Sequence, residues 1–202
     1  MGCSRQSEMI YNTNSCPYGK DYEEWITLWW KWLISIPKEK SPAFDTTGER
    51  CSISQRNPHV WFLAGTFGEP SASRRCIIPN GKALLFPVIN YECSFADDLS
   101  MRSEQELEEK CRQEMDQIGD LNASLDGEEI NVHKYRVHSR CFTINIPRDN
   151  CLGAVGGTTR IASDGYWLLI EPLAPGDHVL RSFGSCMSGR IKIDCSLKLV
   201  IK

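Results

Sequence analysis

Hydrophobic and polar side chains alternate along the last thirteen residues of the chain, 190–202. Successive side chains of a β-strand point to opposite faces, so this alternation predicts a strand with one buried and one solvated face. Only Val200 places an apolar side chain on the solvated face. Such a strand is typical of an antiparallel sheet that packs on one side. The buried face would carry Ile191, Ile193, Cys195, Leu197, Leu199 and Ile201.

Further short apolar segments are separated by turn-forming residues, and they recur about every ten residues. The strongest turn is Asp126-Gly127, a sequence typical of a β-hairpin. This spacing predicts an antiparallel β-sandwich or jelly-roll-like core, and with two packed helices the fold class is β-rich α+β. Residues 184–189 are expected to form a flexible turn. The predicted strands cover residues 59–64, 83–90, 121–125, 128–130, 135–138, 142–146, 166–171 and 178–183, followed by the last strand.

Residues 21–36 have the pattern of a helix rich in tryptophan. Asp21 can cap its start, Glu24 completes a capping box, and Pro37 ends it. Aromatic residues at helical spacing usually lie in the core, so we expect this helix to be buried against the sheet. In the alternative interpretation, Trp30 and its neighbours expose a surface for a partner or ligand. The four tryptophans are Trp25, Trp29, Trp30 and Trp32.

A second helix is predicted over residues 103–118. Ser103 and Glu106 form a capping-box pattern, and Gly119 suits the position just after the helix. The remaining faces are acidic, which indicates a solvated helix lying over a sheet along one narrow seam. That seam consists of Leu107, Cys111, Met115 and Ile118.

The 202 residues are interpreted as one domain over residues 21–202, preceded by an irregular lead-in over residues 1–20. The start Met1-Gly2-Cys3-Ser4 resembles an acylated terminus. Gln6, however, occupies the place where the myristoylation pattern has serine or threonine, so a plain tail is preferred.

The net charge of −3 argues against a nucleic-acid-binding protein, which would carry a basic stripe. No apolar run is long enough for a transmembrane helix, and the first twenty residues lack the apolar core of a signal peptide. The expected compartment is extracellular if a leader has been removed, and cytoplasmic otherwise.

Ten cysteines make disulfides an open question. Cys195 falls on the buried face of the last strand and Cys111 on the apolar seam of the second helix, where each is interpreted as a small hydrophobic residue. We expect a few disulfides among Cys51, Cys76, Cys93, Cys141 and Cys151, with the other cysteines as thiols.

Three motifs occur together in this chain: Trp-Trp-Lys-Trp at residues 29–32, Val-Trp-Phe-Leu-Ala-Gly at residues 60–65, and Pro-Leu-Ala-Pro-Gly-Asp-His at residues 172–178. In this combination the chain resembles a group of uncharacterised bacterial proteins, many of them with a secretion signal. The resemblance covers residues 19–183. It implies an exported, β-rich, single-domain protein, and it implies no activity or catalytic residue.

Metal and cofactor motifs are not found. The chain contains no Cys-x-x-Cys and no His-Glu-x-x-His sequence, so no metal site is expected. The alternative is a zinc or copper site assembled from distant residues such as His138, Cys141 and His178. The glycine-rich residues 153–159 lack the lysine of a phosphate-binding loop, so no cofactor is expected.

A nucleophile is suggested only weakly. Residues 184–189 place Cys186 where a Gly-x-Ser-x-Gly motif would have serine, and His178 lies on the preceding strand. Asp164 is one of several acids in turns that could assist. These three residues are the weak catalytic candidates, and a simple hairpin loop is the preferred interpretation.

Basic side chains alternate along one predicted strand, opposite in sign to the acidic second helix. A solvated face is the simplest interpretation. Self-association, with the helix of one copy against the strand of another, is the functional alternative. The basic residues are Lys134, Arg136, His138 and Arg140.

The leading functional hypothesis is a non-enzymatic binding or structural module whose ligand is a glycan, a peptide or another protein. Exposed Trp30, Trp61 or Trp167 would make the contacts, because flat aromatic rings stack on sugars and anchor interfaces. The alternative is a hydrolase or metal-dependent enzyme that uses His178 with Cys186 or Asp164.

Overall fold

The computed structural model describes residues 9–67, 71–186 and 191–202. Two helices, α1 (Tyr22–Ile34) and α2 (Glu104–Asp116), accompany ten strands in this part of the chain. The β-rich α+β class predicted from the sequence is confirmed. The strands are β1 (Val60–Phe62), β2 (Ser71–Ile78), β3 (Ala83–Ser94), β4 (Leu121–Leu125), β5 (Glu128–Ile130), β6 (Arg136–His138), β7 (Phe142–Ile146), β8 (Gly157–Ile170), β9 (Gly176–Cys186) and β10 (Ile191–Ile201).

The strands form two five-stranded sheets. The first has the order β1-β3-β8-β6, with β7 also paired to β8, and the second has the order β2-β10-β9-β4-β5. The sheets are mixed rather than purely antiparallel, because β1 pairs with β3 and β2 pairs with β10 in parallel. β2 follows β1 in the chain but lies in the second sheet. The chain therefore passes through the second sheet before it returns to the first as β3, and this crossover allows β3 to run parallel to β1.

Helix α1 packs on the outer face of the first sheet. Its buried face joins Leu85 of β3 and Trp167 of β8 in one apolar cluster. A second cluster fills the space between the two sheets, where Leu168 of β8 meets Leu197 of β10. The expected burial of the tryptophan helix is confirmed, and so is its capping box, in which the Asp21 side chain accepts from Glu24 N.

Helix α2 begins after Ser103, whose side chain accepts from the backbone N–H of Glu106. The reciprocal half of the predicted box is replaced, because the Glu106 carboxylate accepts from Arg102 N. Gly119 does not form the end of the helix. Its backbone lies close to the Ser185 side chain, and a Cβ at this position would lie 2.7 Å from Ser185 Oγ.

Strand β2 was not expected from the sequence. Its buried residues alternate regularly, but one of them is Arg74, and a charged side chain on the inward face hides the pattern. The strands β8 and β9 are also longer than predicted. β9 continues through residues 184–186, which were expected in a turn, while residues 187–189 of that turn lie outside the described residues.

The lead-in before α1 is irregular, as expected, but it packs on the domain. Ile10 is buried and bridges Ile170, the last residue of β8. The predictions for residues 1–8, including the acylation pattern, fall outside the described part of the chain. No helix in the described residues is long and apolar enough to cross a membrane.

One disulfide is present among the described residues, and it joins Cys51 to Cys76. Of the few disulfides expected among five cysteines, this one is confirmed, whereas Cys93, Cys141 and Cys151 are free thiols. Cys111 and Cys195 are buried thiols, as expected.

Candidate functional site

The first sheet has an open edge beside the tryptophan helix. β1 pairs with β3 only as far as Phe62↔Leu85, and Leu63 N then donates to the Leu85 carbonyl. The chain leaves the sheet here, and no described strand continues along that edge. From Pro87 onwards, β3 is therefore paired on its β8 side only.

A cavity of about 870 Å³ lies at this open edge. Small-molecule sites commonly occupy about 300–1,000 Å³, so the volume suits a small ligand. The cavity reaches the surface near Asp97 and Lys192, both of which are exposed. Its walls come from α1 (Trp29, Trp30 and Leu33), from residues 65–67, from β3 between Pro87 and Cys93, and from Ile191–Ile193 at the start of β10.

A β-bulge directs the side chains of β3 into this region. The register against β8 shifts between Pro87 and Ile89, so that Val88 and Ile89 both face the core between the sheets instead of alternating. Proline lacks an N–H, and therefore Pro87 suits an unpaired edge. The bulge sets the orientation of the polar residues that follow, Asn90 and Glu92.

Three buried side-chain donors of cavity-lining residues have no hydrogen-bond partner among the described residues: the Trp30 indole Nε1, the Thr66 hydroxyl and the Asn90 side-chain Nδ2. No described N–H or O–H group donates to Oε2 of Glu92 either. Buried polar groups are nearly always hydrogen-bonded, and leaving one unpaired costs about 1–3 kcal/mol. Each of these atoms has less than 1 Å² of accessible surface, so none of them is open to a molecule in the cavity, and each unpaired group is a local cost to the fold.

Glu92 has an unusual protonation state. Burial raises the pKa of its carboxyl to about 8, and Asp97 adds to the shift through its charge and through a hydrogen bond between the two carboxyl groups. Asp97 also accepts a hydrogen bond from the Ser94 hydroxyl. At neutral pH, Glu92 is therefore mostly a neutral carboxylic acid that donates to Asp97.

Lys110 and Asp98 form an ion pair at the mouth of the cavity. Lys110 Nζ lies 2.7 Å from Asp98 Oδ2. The hydrogen bond from Lys110 holds the pKa of Asp98 well below its usual range, and the same bond raises the pKa of Lys110. The two charges are thus balanced within the protein.

Arg74 binds the part of the cavity wall that includes Ala43 and Gly65. Its guanidinium donates to the carbonyls of Ala64 at 2.7 Å, Gly65 at 3.1 Å and Ala43 at 3.4 Å, and also to that of Asp45. Burial lowers the pKa of Arg74 below its usual value. An arginine with five donors can tie several carbonyls together, which explains its place on the inward face of β2.

Only one of the three predicted binding tryptophans reaches the cavity. Trp30 lines it, whereas Trp61 and Trp167 are not among its lining residues. The side chains are 1%, 7% and 0% exposed, so the expectation that these rings are exposed is wrong. The reason is their position inside the packed layers of α1, β1 and β8.

The predicted catalytic residues do not come together. His178 and Cys186 lie on the same strand, eight residues or about 26 Å apart. His178 Nδ1 is 2.6 Å from Asp126 Oδ2, and its Nε2 is 2.9 Å from the Ala174 carbonyl oxygen. Asp164 lies in the other sheet, fully buried, where Arg136 Nη2 approaches it to 2.8 Å.

Metal ligands do not cluster in the described residues, where no group of three His, Cys, Asp or Glu side chains is arranged to hold an ion. His138 is on β6 in the first sheet and His178 on β9 in the second. The alternative metal site that includes both is therefore not assembled.

The acidic helix and the basic strand meet within one chain. Arg136 Nη1 lies 2.6 Å from Asp116 at the end of α2. Arg160 of β8 binds Glu104 at the start of that helix, also at 2.6 Å. The predicted contact between two copies would have to compete with these intramolecular ion pairs.

Sequence reasoning missed Asn90 and Glu92 as cavity residues because the predicted strand ended at residue 90, and it considered Asp97 only as one of several acids in loops. The available signal was the polar pair at positions 90 and 92, directly after an apolar run, since residues two apart on a strand share a face.

Comparisons of the chain with models of protein families, with curated proteins and with solved structures find no match. The function must therefore be argued from the cavity itself.

Proposed function

We propose that this protein is a binding module that holds a small, uncharged ligand in the cavity at the open edge of β3. The observation that carries this proposal is the cavity itself, about 870 Å³ in volume at an unpaired strand edge, whose lining combines apolar side chains with the polar residues Asn90, Glu92 and Asp97. A few polar groups placed on apolar walls are characteristic of small-molecule sites.

The charges around the cavity favour an uncharged ligand. Glu92 is neutral at neutral pH, and Lys110 is paired with Asp98. A charged ligand that enters this region would lose its hydration without gaining an unpaired counter-charge at depth.

The test is binding of a panel of small sugars, polyols, nucleosides and primary amides, compared with carboxylic acids and amines of similar size. Binding would be measured by isothermal titration and by the shift in melting temperature. We expect neutral compounds to bind and to stabilise the protein, because ligand binding to the native state raises its stability.

The decisive variant is Asn90→Leu, which removes the side-chain amide of a half-buried cavity residue and keeps a side chain of similar size. We expect about a five- to tenfold loss of affinity for the compound that binds best. Asn145→Leu is the matched control, because Asn145 lies at an exposed position on β7 and does not line the cavity. Equal effects of the two variants, or no binding by any compound, would overturn the proposal.

A further inference from the structure

His178 lies near the start of β9, between the β4–β5 hairpin and the loop of residues 171–175 that precedes β9. Its Nδ1 atom is 2.6 Å from Asp126 Oδ2 in the turn of the hairpin. Its Nε2 atom is 2.9 Å from the carbonyl oxygen of Ala174 in the loop. One imidazole ring therefore contacts both segments.

Both neighbours of the His178 ring are hydrogen-bond acceptors. A carboxylate oxygen and a carbonyl oxygen accept hydrogen bonds and have no proton to donate. A neutral histidine has one N–H group, so it donates to only one of the two oxygens, and its other nitrogen directs a lone pair at the second. Only the imidazolium form donates to both, so the observed geometry is that of the charged ring.

The charges around the ring favour this form. Next to the ring, the surrounding segments carry Asp126 and Glu128 in the hairpin, Glu171 in the loop, Asp177 on β9 and Lys198 on β10. Burial lowers the pKa of His178, but the hydrogen bonds to Asp126 and Ala174 raise it, and so do the charges of the two aspartates. Together they outweigh burial, so this pKa lies above its usual 6.5. Lys198 Nζ is itself paired with Asp177 Oδ2 at 3.3 Å.

Asp126 is the more firmly held of the two partners. Its Oδ1 atom also accepts from the backbone N–H of Val179 at 2.8 Å, and its own N–H donates to the Val179 carbonyl at 2.9 Å. A hydrogen bond to a carboxylate is also stronger than one to a neutral carbonyl. When the ring loses one proton, the remaining proton therefore stays on Nδ1, and Nε2 turns a lone pair towards Ala174.

The loop is fixed on both sides of Ala174. Leu173 is 8% exposed and packs in the apolar cluster between the sheets. Pro172 and Pro175 restrict the backbone on either side of these two residues. Ala174 itself is exposed, and among the described residues His178 is the one donor to its carbonyl group. Loss of this contact therefore frees the tip of the loop without unfolding the domain.

We propose that His178 is a pH-dependent clamp, which in its imidazolium form connects the β4–β5 hairpin to the loop at Ala174, and which releases that loop when a proton leaves Nε2 for solvent. The stabilisation is complete below pH 6.5 and is lost as the pH rises through the raised pKa of His178. The clamp lies opposite Leu199 near the end of β10, whereas the cavity is lined by Ile191–Ile193 at the start of that strand.

The experiment follows both atoms of the contact by NMR in the full chain, between about pH 5 and 9. The nitrogen shifts of the His178 ring show which ring nitrogens are protonated, and the carbonyl carbon shift of Ala174 reports its hydrogen bond. We expect both to change with one midpoint above pH 6.5, and the neutral ring to keep its proton on Nδ1.

His178→Asn places an amide NH2 group near the position of Nδ1 and has no counterpart of Nε2, so it imitates the neutral ring. In this variant the Ala174 carbonyl shift should be independent of pH and close to the value of the wild type at high pH. His138→Asn, at an exposed position on β6, is the matched control and should leave the Ala174 titration unchanged.

Asp126→Asn tests the source of the raised pKa. It removes the charge and keeps an oxygen acceptor, and asparagine tolerates the left-handed backbone at this position, where φ is 53°. We expect the titration of His178 to move to lower pH in this variant.

Three results would overturn the proposal. The Ala174 shift could fail to follow the titration of His178, which would show that the loop is not released. A neutral ring with its proton on Nε2 would mean that the hairpin, and not the loop, is released. An unchanged midpoint in Asp126→Asn would show that the carboxylate does not hold the ring proton.

Discussion

At Glu92, burial and a neighbouring carboxyl act on the pKa in the same direction. The raised pKa means that the folded protein holds a proton that the unfolded chain releases near the ordinary value of 4.5. Between pH 4.5 and about 8, the unfolded state binds fewer protons than the folded state. The free energy of unfolding must therefore fall as the pH rises through this interval.

Glu92→Gln should remove this pH dependence, because the amide does not ionise. Near pH 4 the variant and the wild type should differ little. At pH 8 the variant should be more stable by a few kcal/mol, since each unit of pKa shift corresponds to about 1.4 kcal/mol. Urea unfolding across this pH range measures the difference. A constant difference between the two proteins at all pH values would show that Glu92 ionises normally.

At the level of elements, β6 and β8 are paired strands, and an ion pair between Arg136 and Asp164 adds a side-chain connection to their backbone pairing. Asp164 is fully buried on β8, and Arg136 is its cationic partner. The hydrogen bond to Asp164 raises the pKa of Arg136, so the guanidinium stays charged at all relevant pH values. Arg136 also reaches Asp116 and thereby connects the end of α2 to the first sheet.

Arg136→Ala should destabilise the protein by about 3–5 kcal/mol, because it leaves a buried carboxylate without a counter-charge. Arg140→Ala, two residues beyond β6 and exposed, should change the free energy of unfolding by less than about 0.5 kcal/mol. Chemical denaturation of both variants provides the measurement. Similar small losses for both would mean that Asp164 is solvated or neutral in the folded protein.

Elements with a regular apolar pattern were predictable from the sequence. The cap at Asp21, the hairpin at Asp126-Gly127 and strand β7 all follow from local chemistry, and all are present. β2 was not predictable, because Arg74 satisfies its donors with carbonyls from residues distant in sequence. A local pattern contains no information about such partners.

For the whole molecule, the Cys51–Cys76 disulfide joins the segment before β1 to strand β2 across a separation of 25 residues. The same segment covers the outer edge of β2, where Arg75 N donates to the Thr47 carbonyl. Gly48 permits this approach: its φ is +98°, and a Cβ there would lie 2.3 Å from the Arg75 carbonyl oxygen. The cross-link therefore stabilises both an edge strand and the wall that Arg74 organises.

Replacing both cysteines with alanine should lower the free energy of unfolding by about 3 kcal/mol, the value expected for a loop of this length. The wild type unfolded in the presence of a reductant should show a similar loss. Cys16→Ala removes an exposed free thiol and serves as the control, with no change expected. If the double variant matched the wild type in stability, the cross-link would have no role in holding this edge.

Most of the candidate site could not be predicted from the sequence, because its lining residues come from several elements that only the folded chain brings together. Its wall combines α1, residues 65–67, β3 and β10, and the cavity exists only because β1 ends early beside β3. Trp30 was identified as a contact residue on the assumption of exposure. It lines the cavity as a buried side chain, with its N–H unpaired.

The indole rings of α1 also have an optical consequence. The ring centroid of Trp29 lies 5.0 Å from that of Trp30 and 5.1 Å from that of Trp167, and both pairs are nearly perpendicular. At such separations the electronic transitions of neighbouring rings couple, and this coupling contributes to the near-ultraviolet circular dichroism of the folded protein. Because Trp30 belongs both to these rings and to the cavity wall, the near-ultraviolet circular dichroism of the protein is a built-in reporter of whether the cavity is occupied.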